Sequence, residues 1–327
     1  MDSKTWIDDT GLHIEDESLK YAMERVTASA SLVSGMVGDS CPAKTIFDSK
    51  LKNEVIPIPP DSPLTRGTAF HRIMELYYGL PIDVRGNGIN GRILNAAAKK
   101  TLQELPDDVA HDHDFLTWLR QSVDNYMGMD ADYTNVIIPE FPDKHGDMAP
   151  GLELPVSGTI GSASRRTFGK IDRMTMNGDG HVIIDDYKTG AKAHVYDPKD
   201  RYADFSYIRQ QIMYDMLMEE DDRVRSMGLT IDSARLIYPF PNKVITVDIH
   251  NEKYRQRTIK DVETASKMLD DAAETNTYAC SPSKLCSWCP LSAICPRADR
   301  DPRPKFVKAR ASQPTAEVLA PVVSGRD

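Results

Sequence analysis

Two aspartates and a lysine in the middle of the chain are the residue types that metal-assisted phosphoryl chemistry needs. Residues 169–190 read GKIDRMTMNGDGHVIIDDYKTG, two strand-like runs around the turn Asn177-Gly178-Asp179-Gly180. Asn/Gly/Asp clusters of this kind close hairpins. Folded about its centre near Asp179, the segment sets Asp172 opposite Asp186. Side chains alternate faces along a strand, so Asp186 shares its face with Lys188 and not with Asp185. Two carboxylates and an ammonium then converge on one surface. Like charges set opposite each other cost stability unless something offsets them. A divalent cation is the simplest offset, and phosphodiester hydrolysis is the chemistry it suggests. The bland reading of the same trio is a cross-strand ion pair on a surface hairpin.

The elements that must position these residues follow from the pattern along the chain. Residues 1–20 read as a flexible acidic lead-in and 21–51 as helical, with a Pro-rich break at 56–63 (IPIPPDSP). From Arg66, RGTAFHRIMELYYGL has amphipathic helix spacing, with Phe70, Ile73, Met74 and Tyr77 on one side. The region from about 66 to 135 is mostly helical, and 136–190 is rich in strands. SYIRQQIMYDMLMEE (206–220) is a patterned helix that puts Gln210 and Tyr214 on one face. A strand pair then brackets Pro241-Asn242, and a helix covers about 251–275. This order predicts α/β with a mixed central sheet. One domain is expected over 21–296, with its catalytic sheet at about 136–250, followed by a basic and then flexible tail at 297–327.

Five cysteines form a second constellation. Cys286, Cys289 and Cys295 make a C-x2-C-x5-C run, with Cys280 just before it and Cys41 far upstream. Three thiols this close in a chain without a secretory signal point to a metal or cluster site needing a fourth ligand. Cys41 is the candidate, in a Cys-Pro pair like those at Cys289 and Cys295, and Cys280 is its competitor. The spacing fits structural zinc and an iron–sulfur cluster alike.

Composition narrows the class. The 327 residues are 40% hydrophobic and 27% charged, with no apolar run near the roughly 20 residues a bilayer requires. The polar, acidic N-terminus predicts neither signal peptide nor anchor, so a cytoplasmic location without membrane contact is expected. A formal net charge of −9 argues against indiscriminate nucleic-acid binding by the whole chain. Residues 297–310 nonetheless hold six basic and two acidic residues, either a phosphate grip or a solvated tail. The chain lacks a phosphate-binding P-loop motif and so carries no recognisable helicase motor.

Taken together, these residues resemble the RecB-like branch of the PD-(D/E)XK nuclease superfamily. They are most similar to its iron–sulfur exonucleases, such as the AddB nuclease domain and the CRISPR-associated Cas-type exonucleases. Five matches in order carry the resemblance: Ser29 to Phe47 with its isolated cysteine, GTAFH (67–71), GKIDR (169–173) with DYKTG (186–190), Gln210 and Tyr214 in Q-x3-Y spacing, and the C-x2-C-x5-C run. The resemblance implies a restriction-endonuclease-like α/β fold with a helical subdomain and a cysteine staple. It implies a metal-dependent exonuclease acting on single-stranded DNA or DNA ends, in repair, recombination or phage DNA processing, beside a separate helicase or recombination protein.

The resemblance also implies roles. Asp172, Asp186 and His71 would bind Mg²⁺ or Mn²⁺, with Glu153 as an added carboxylate. Lys188 would orient the attacking water or stabilise the transition state, and Gln210 and Tyr214 would hold the lysine region or the DNA backbone. Cys41, Cys286, Cys289 and Cys295 would bind a 4Fe-4S cluster, leaving Cys280 a bystander or substitute ligand. Lys170 and Arg173, flanking Asp172, are phosphate contacts or solvent-facing charges. A non-catalytic DNA-binding or assembly module on the same fold, or a nuclease acting on RNA, are the competing readings.

Overall fold

In the computed structural model the strands run, in chain order, β1 Thr5–Ile7, β2 Gly11–Ile14, β3 Glu140–Pro142, β4 Met148–Pro150, β5 Leu152–Gly158, β6 Thr167–Met176, β7 Val182–Tyr187, β8 Ile231–Tyr238, β9 Lys243–Val247, β10 Thr277–Ala279 and β11 Ser324–Gly325. The main helices are α1 Glu17–Glu24, α2 Ala30–Met36, α3 Pro42–Ile46, α4 Pro63–Tyr78, α5 Gly91–Glu104, α6 His113–Met127, α7 Ser206–Glu219 and α8 Glu252–Thr275. The structure describes residues 4–38, 40–52, 56, 62–86, 88–134, 136–143, 145–177, 180–199, 204–282, 286, 289–298 and 314–326. The centre of the Asn177–Gly180 turn, most of the Pro-rich break and nearly all of the basic stretch 297–310 lie outside the described residues.

The chain divides into two units: Met1–Pro57 with Thr159–Thr167 and Arg257–Asp327, and Ile58–Gly158 with Phe168–Gln256. Sequence reading expected a single domain over 21–296. The chain passes between the units at four places; one, at 57/58, falls in the Pro-rich break, and the other three carry no linker or composition shift.

The second unit holds a five-stranded sheet in the order β5-β6-β7-β8-β9. β7 lies antiparallel to β6 and parallel to β8, and β9 returns antiparallel on β8. The sheet is mixed, as the sequence pattern predicted. A parallel neighbour requires a crossover, and α7 supplies it between β7 and β8. β7 sits in the middle and buries Val182, Ile184, Asp185, Asp186 and Tyr187.

Helices α4, α5 and α6 begin at residues chosen for caps. The Ser62, Asn90 and Asp112 side chains accept from the first-turn amides of Thr65, Ile93 and Phe115, and Pro63 occupies a position where no amide donor is needed. The predicted face of α4 is the buried one. Phe70, Ile73, Met74 and Tyr77 join Leu94, Phe115 and Trp118 in a core that also takes in Tyr187 of β7 and Ile237 of β8. The helix bearing His71 is thereby packed to the strand bearing Asp186.

In the first unit, β10-β2-β1-β11 form a sheet, with β1 parallel to β11 and β2 antiparallel to β1 and β10. This corrects two expectations: residues 5–14 are a hairpin rather than a flexible lead-in, and 324–325 of the tail close its edge. Few apolar residues are needed here. Ile7, Leu12 and Ile14 are buried by the hairpin, too short a signal to stand out in an acidic stretch. Arg165 ties the unit together, pairing with Asp270 at 2.7 Å and donating to the carbonyl of Met23 at 2.7 Å. No helix among the described residues is long and apolar enough to cross a membrane.

Candidate active site

The β6–β7 register sets Arg173 opposite Asp185 and Met176 opposite Val182. Carried one residue further, it sets Asp172 opposite Asp186, as the hairpin reading required. Asp172 Oδ2 accepts from the Tyr187 amide at 2.7 Å. Asp186 Oδ2 lies 2.6 Å from Lys188 Nζ. The two carboxylates and the ammonium therefore meet on one face.

α4 delivers His71 to the same place. Its Nε2 lies 3.1 Å from the Tyr187 carbonyl oxygen, while Nδ1 lies 3.4 Å from Asp172 Oδ1 and 3.5 Å from Glu153 Oε1. With Nε2–H donating to that carbonyl, Nδ1 is the nitrogen that faces the carboxylates. Glu153 arrives from β5 with a positive φ of 47°. A non-glycine residue held there costs about 1–3 kcal/mol, and such outliers cluster at functional sites. Its other oxygen, Oε2, pairs with Lys170 Nζ at 2.7 Å.

His71, Glu153 and Asp172 each offer a ligand atom, and these atoms lie within 4.8 Å of one another. One nitrogen and two carboxylate oxygens suit a hard divalent cation that keeps some of its waters. Asp186 stands next to this trio rather than within it.

The electrostatics express the crowding. Burial works against a charge on His71, but Asp172, Glu153 and Asp186 outweigh it and raise the imidazole to about 9. Burial first, and then the charge of Asp186, push Asp172 upward against the pull of His71 and the Tyr187 amide. Burial pulls Lys188 down, yet Asp186 and Asp172 leave it above its ordinary value.

α7 completes the surroundings. Lys188 Nζ donates to Gln210 Oε1 at 2.8 Å, and Gln210 Nε2 donates to Tyr214 OH at 3.0 Å. The Q-x3-Y pair thus forms a relay ending on the lysine. Tyr207, one turn before Gln210, lies under Nζ with its ring centroid 4.5 Å away. Sequence reading passed over Tyr207, although its spacing from Gln210 and Tyr214 marks it as a residue of that face.

Gly169 is fixed by this packing. A Cβ there would stand 2.3 Å from Tyr214 Cε1. Gly169→Ala is expected to displace Tyr214 and to cost about 1–3 kcal/mol, as overpacking does. Urea unfolding checks it; a variant with wild-type stability would show that Tyr214 gives way freely.

The opposite face of the hairpin carries a different structure. Asp185, 0% exposed, accepts from Arg173 Nε at 2.9 Å and from Arg235 Nε at 2.6 Å. Arg173 also donates to Tyr126 OH at 2.8 Å and to the Tyr133 carbonyl at 2.9 Å. This corrects the reading of Arg173 as a phosphate contact or solvent-facing charge. Strand alternation turns it away from Asp172. Lys170 does face solvent, and His111 and His113 are exposed as expected.

In the first unit the cysteines gather at one cavity, lined by Cys41, Cys280, Cys286, Cys289 and Cys295 with Lys44 and Arg297. None is in a disulfide. Five thiols beside two cationic side chains are a donor set fit for thiophilic metals, iron–sulfur clusters included. The connecting residues 283–285 and 287–288 lie outside the described residues.

Comparison with known proteins gives a family match over most of the chain. The family model described as PD-(D/E)XK nuclease superfamily matches residues 39–296. A "Putative exonuclease" from Eubacterium rectale, known from its crystal structure, is 11% identical with a TM-score of 0.47, covering 89% of this chain and 94% of that one. The crystal structure of SSO0001 is 14% identical with a TM-score of 0.31, covering 72% of this chain and 98% of that one. No curated protein matches the chain.

Proposed function

The chain belongs to the PD-(D/E)XK nuclease superfamily, and from that premise we propose that it is a Mg²⁺- or Mn²⁺-dependent deoxyribonuclease. Its substrate in this reading is single-stranded DNA or DNA ends, degraded as by an exonuclease. The observation that carries the reading is the convergence of His71 Nδ1 on Asp172 and Glu153 at 3.4 and 3.5 Å, with the Asp186–Lys188 pair beside them.

In this mechanism His71, Glu153 and Asp172 would hold the cation, with the Asp186 carboxylate beside them. When bound, it would supply water activation and charge neutralisation at the phosphate. Everything else falls to side chains. Lys188, steered by Gln210 and Asp186, directs a compact positive charge at the oxygens where negative charge grows. Tyr207 lies against that ammonium, and Tyr214 holds the Gln210 that accepts from it. The Tyr187 amide fixes one oxygen of Asp172 so that the other turns toward the imidazole.

The cysteine nest supports a structural 4Fe-4S cluster on Cys41, Cys286, Cys289 and Cys295. It would close a very long loop between Cys41 and the C-terminal run. In this reading a separate helicase or recombination protein would open the duplex, and the work is cytoplasmic.

Proton release provides one check. His71 in the ion-free protein keeps its proton up to about 9 because Asp172, Glu153 and Asp186 face it. A ligated imidazole must be neutral, so cation binding expels that proton. Its raised value adds stability to the ion-free fold below the unfolded range near 6.5, and this is lost as pH rises through about 9. Mn²⁺ affinity is therefore expected to rise about tenfold per pH unit between about 7 and 9. Calorimetry in buffers of different ionisation heat would show about one proton released; a pH-independent affinity would remove His71 from the ligand set.

The function itself is tested with anaerobically purified protein, Mg²⁺ or Mn²⁺, and end-labelled single-stranded DNA, duplex DNA and RNA in parallel. Stepwise shortening of single-stranded DNA, lost in Asp172→Asn and Asp186→Asn, is the expected result. Cleavage of RNA alone would reassign the substrate. Tight DNA binding with no cleavage in any metal would make the protein a binding module.

A further inference from the structure

Cys280 stands outside the C-x2-C-x5-C pattern, yet it belongs to the cysteine nest by position. The residue before it, Ala279, ends β10 and pairs with Gly11 of β2, which fixes the backbone there. Gly11 permits that approach, since a Cβ on it would stand 2.4 Å from the Tyr278 carbonyl oxygen. The Cys280 side chain is 8% exposed, and its Sγ lies 3.8 Å from Cys295 Sγ. Cys41 Sγ lies 3.4 Å from the Ser281 amide nitrogen and 3.9 Å from the Ala279 carbonyl oxygen, against the backbone on both sides of Cys280.

Two quantities bear on what such an arrangement holds. Two thiolates on one tetrahedral ion, with metal–sulfur bonds of about 2.3 Å, stand about 3.8 Å apart. A four-iron cluster gives each thiolate its own iron and spreads the sulfurs farther. The Cys280–Cys295 separation of 3.8 Å matches the single ion. All five thiols line this one cavity, so further ligands are at hand to complete a tetrahedron around such an ion. Lys44 and Arg297 border it and offset the charge of several thiolates on one divalent ion.

We propose that Cys280 is a metal ligand that shares one ion with Cys295, giving the nest a mononuclear, zinc-class state. Cys41 and Cys289 complete the tetrahedron. Binding releases one proton for each thiol that becomes a ligand, with no change of oxidation state. The four-iron cluster, if loaded, uses Cys286 instead, so Cys280 and Cys286 distinguish the two states. This rests on the thiols alone and is independent of the nuclease reading, because its readouts do not involve cleavage.

The test uses the full chain, stripped of iron anaerobically and titrated with Co²⁺ and then Zn²⁺. Wild type should bind one Co²⁺ with thiolate charge-transfer absorption, and Zn²⁺ should displace it. Cys280→Ser should weaken Co²⁺ binding at least tenfold yet still reconstitute with four irons, whereas Cys286→Ser should do the reverse. Wild-type Co²⁺ affinity in Cys280→Ser would overturn the proposal. Should that variant misfold by circular dichroism, wild type decides through iodoacetamide labelling with and without Zn²⁺. Protection of Cys280 by the ion supports the assignment, and equal labelling in the two states overturns it.

Discussion

Lys188→Ala is expected to lower the rate of phosphodiester hydrolysis about 10²–10³-fold, the usual cost of removing one preorganised electrostatic group, without weakening the metal. The ammonium lies 2.6 Å from Asp186 and 2.8 Å from Gln210, and it is held over Tyr207. Its removal deletes the charge aimed at the developing phosphate oxygens. It also leaves Asp186 without its counter-ion, which makes the pocket more negative and the cation more welcome. Calorimetry should therefore show Mn²⁺ bound as tightly as in wild type or more so, while single-turnover cleavage collapses. Asp172→Asn should lose both together, because Asp172 faces His71 as a ligand. A Lys188→Ala enzyme within tenfold of wild type would show that the lysine is only a structural partner of Asp186.

How much of this was legible in the sequence depended on whether a residue's role is set locally. Strand alternation, a property of neighbours, puts Asp186 and not Asp185 on the face of Lys188, and the side chains lie that way. The inward face of α4 was legible for the same reason: Phe70, Ile73, Met74 and Tyr77 recur at helical spacing. Arg173 was misread although its ionic partner Asp185 lies opposite it in the hairpin, because what buries the pair comes from other elements. Tyr126 and Tyr133 accept from Arg173 and Arg235 shares Asp185, and nothing beside Arg173 in sequence announces them. The short strands β1, β2 and β11 failed for want of length, since two to four residues cannot establish a period. The strain at Glu153 was invisible too, as a positive φ at a non-glycine residue is imposed by packing rather than by residue type. The division into two units escaped because three of the four crossings carry no linker, two of them lying inside β6 and α8.

Neighbouring aspartates on opposite faces of β7 make the second large prediction, since the same substitution should do opposite things at each. Asp185 is wholly buried between Arg173 and Arg235, accepting at 2.9 Å from the first and 2.6 Å from the second. Asp185→Asn leaves two buried guanidinium groups without their shared anion, and breaking such a network costs about 3–5 kcal/mol. That is a large part of the stability of an ordinary domain. Asp186 stands instead among like charges, opposite Asp172, and is partnered by Lys188, which also faces Asp172 and donates to Gln210. Asp186→Asn relieves Asp172 as much as it deprives Lys188. Without divalent cation, the folded protein should therefore keep its stability to within about 1 kcal/mol, as expected when a substitution leaves no buried group uncompensated. Urea unfolding in the presence of chelator, paired with cleavage assays, separates the two. Asp186→Asn should melt like wild type and fail to cut, while Asp185→Asn should unfold early. Equal destabilisation by both would mean that the second carboxylate of the hairpin is a structural ion-pair member and not part of a cation-binding surface.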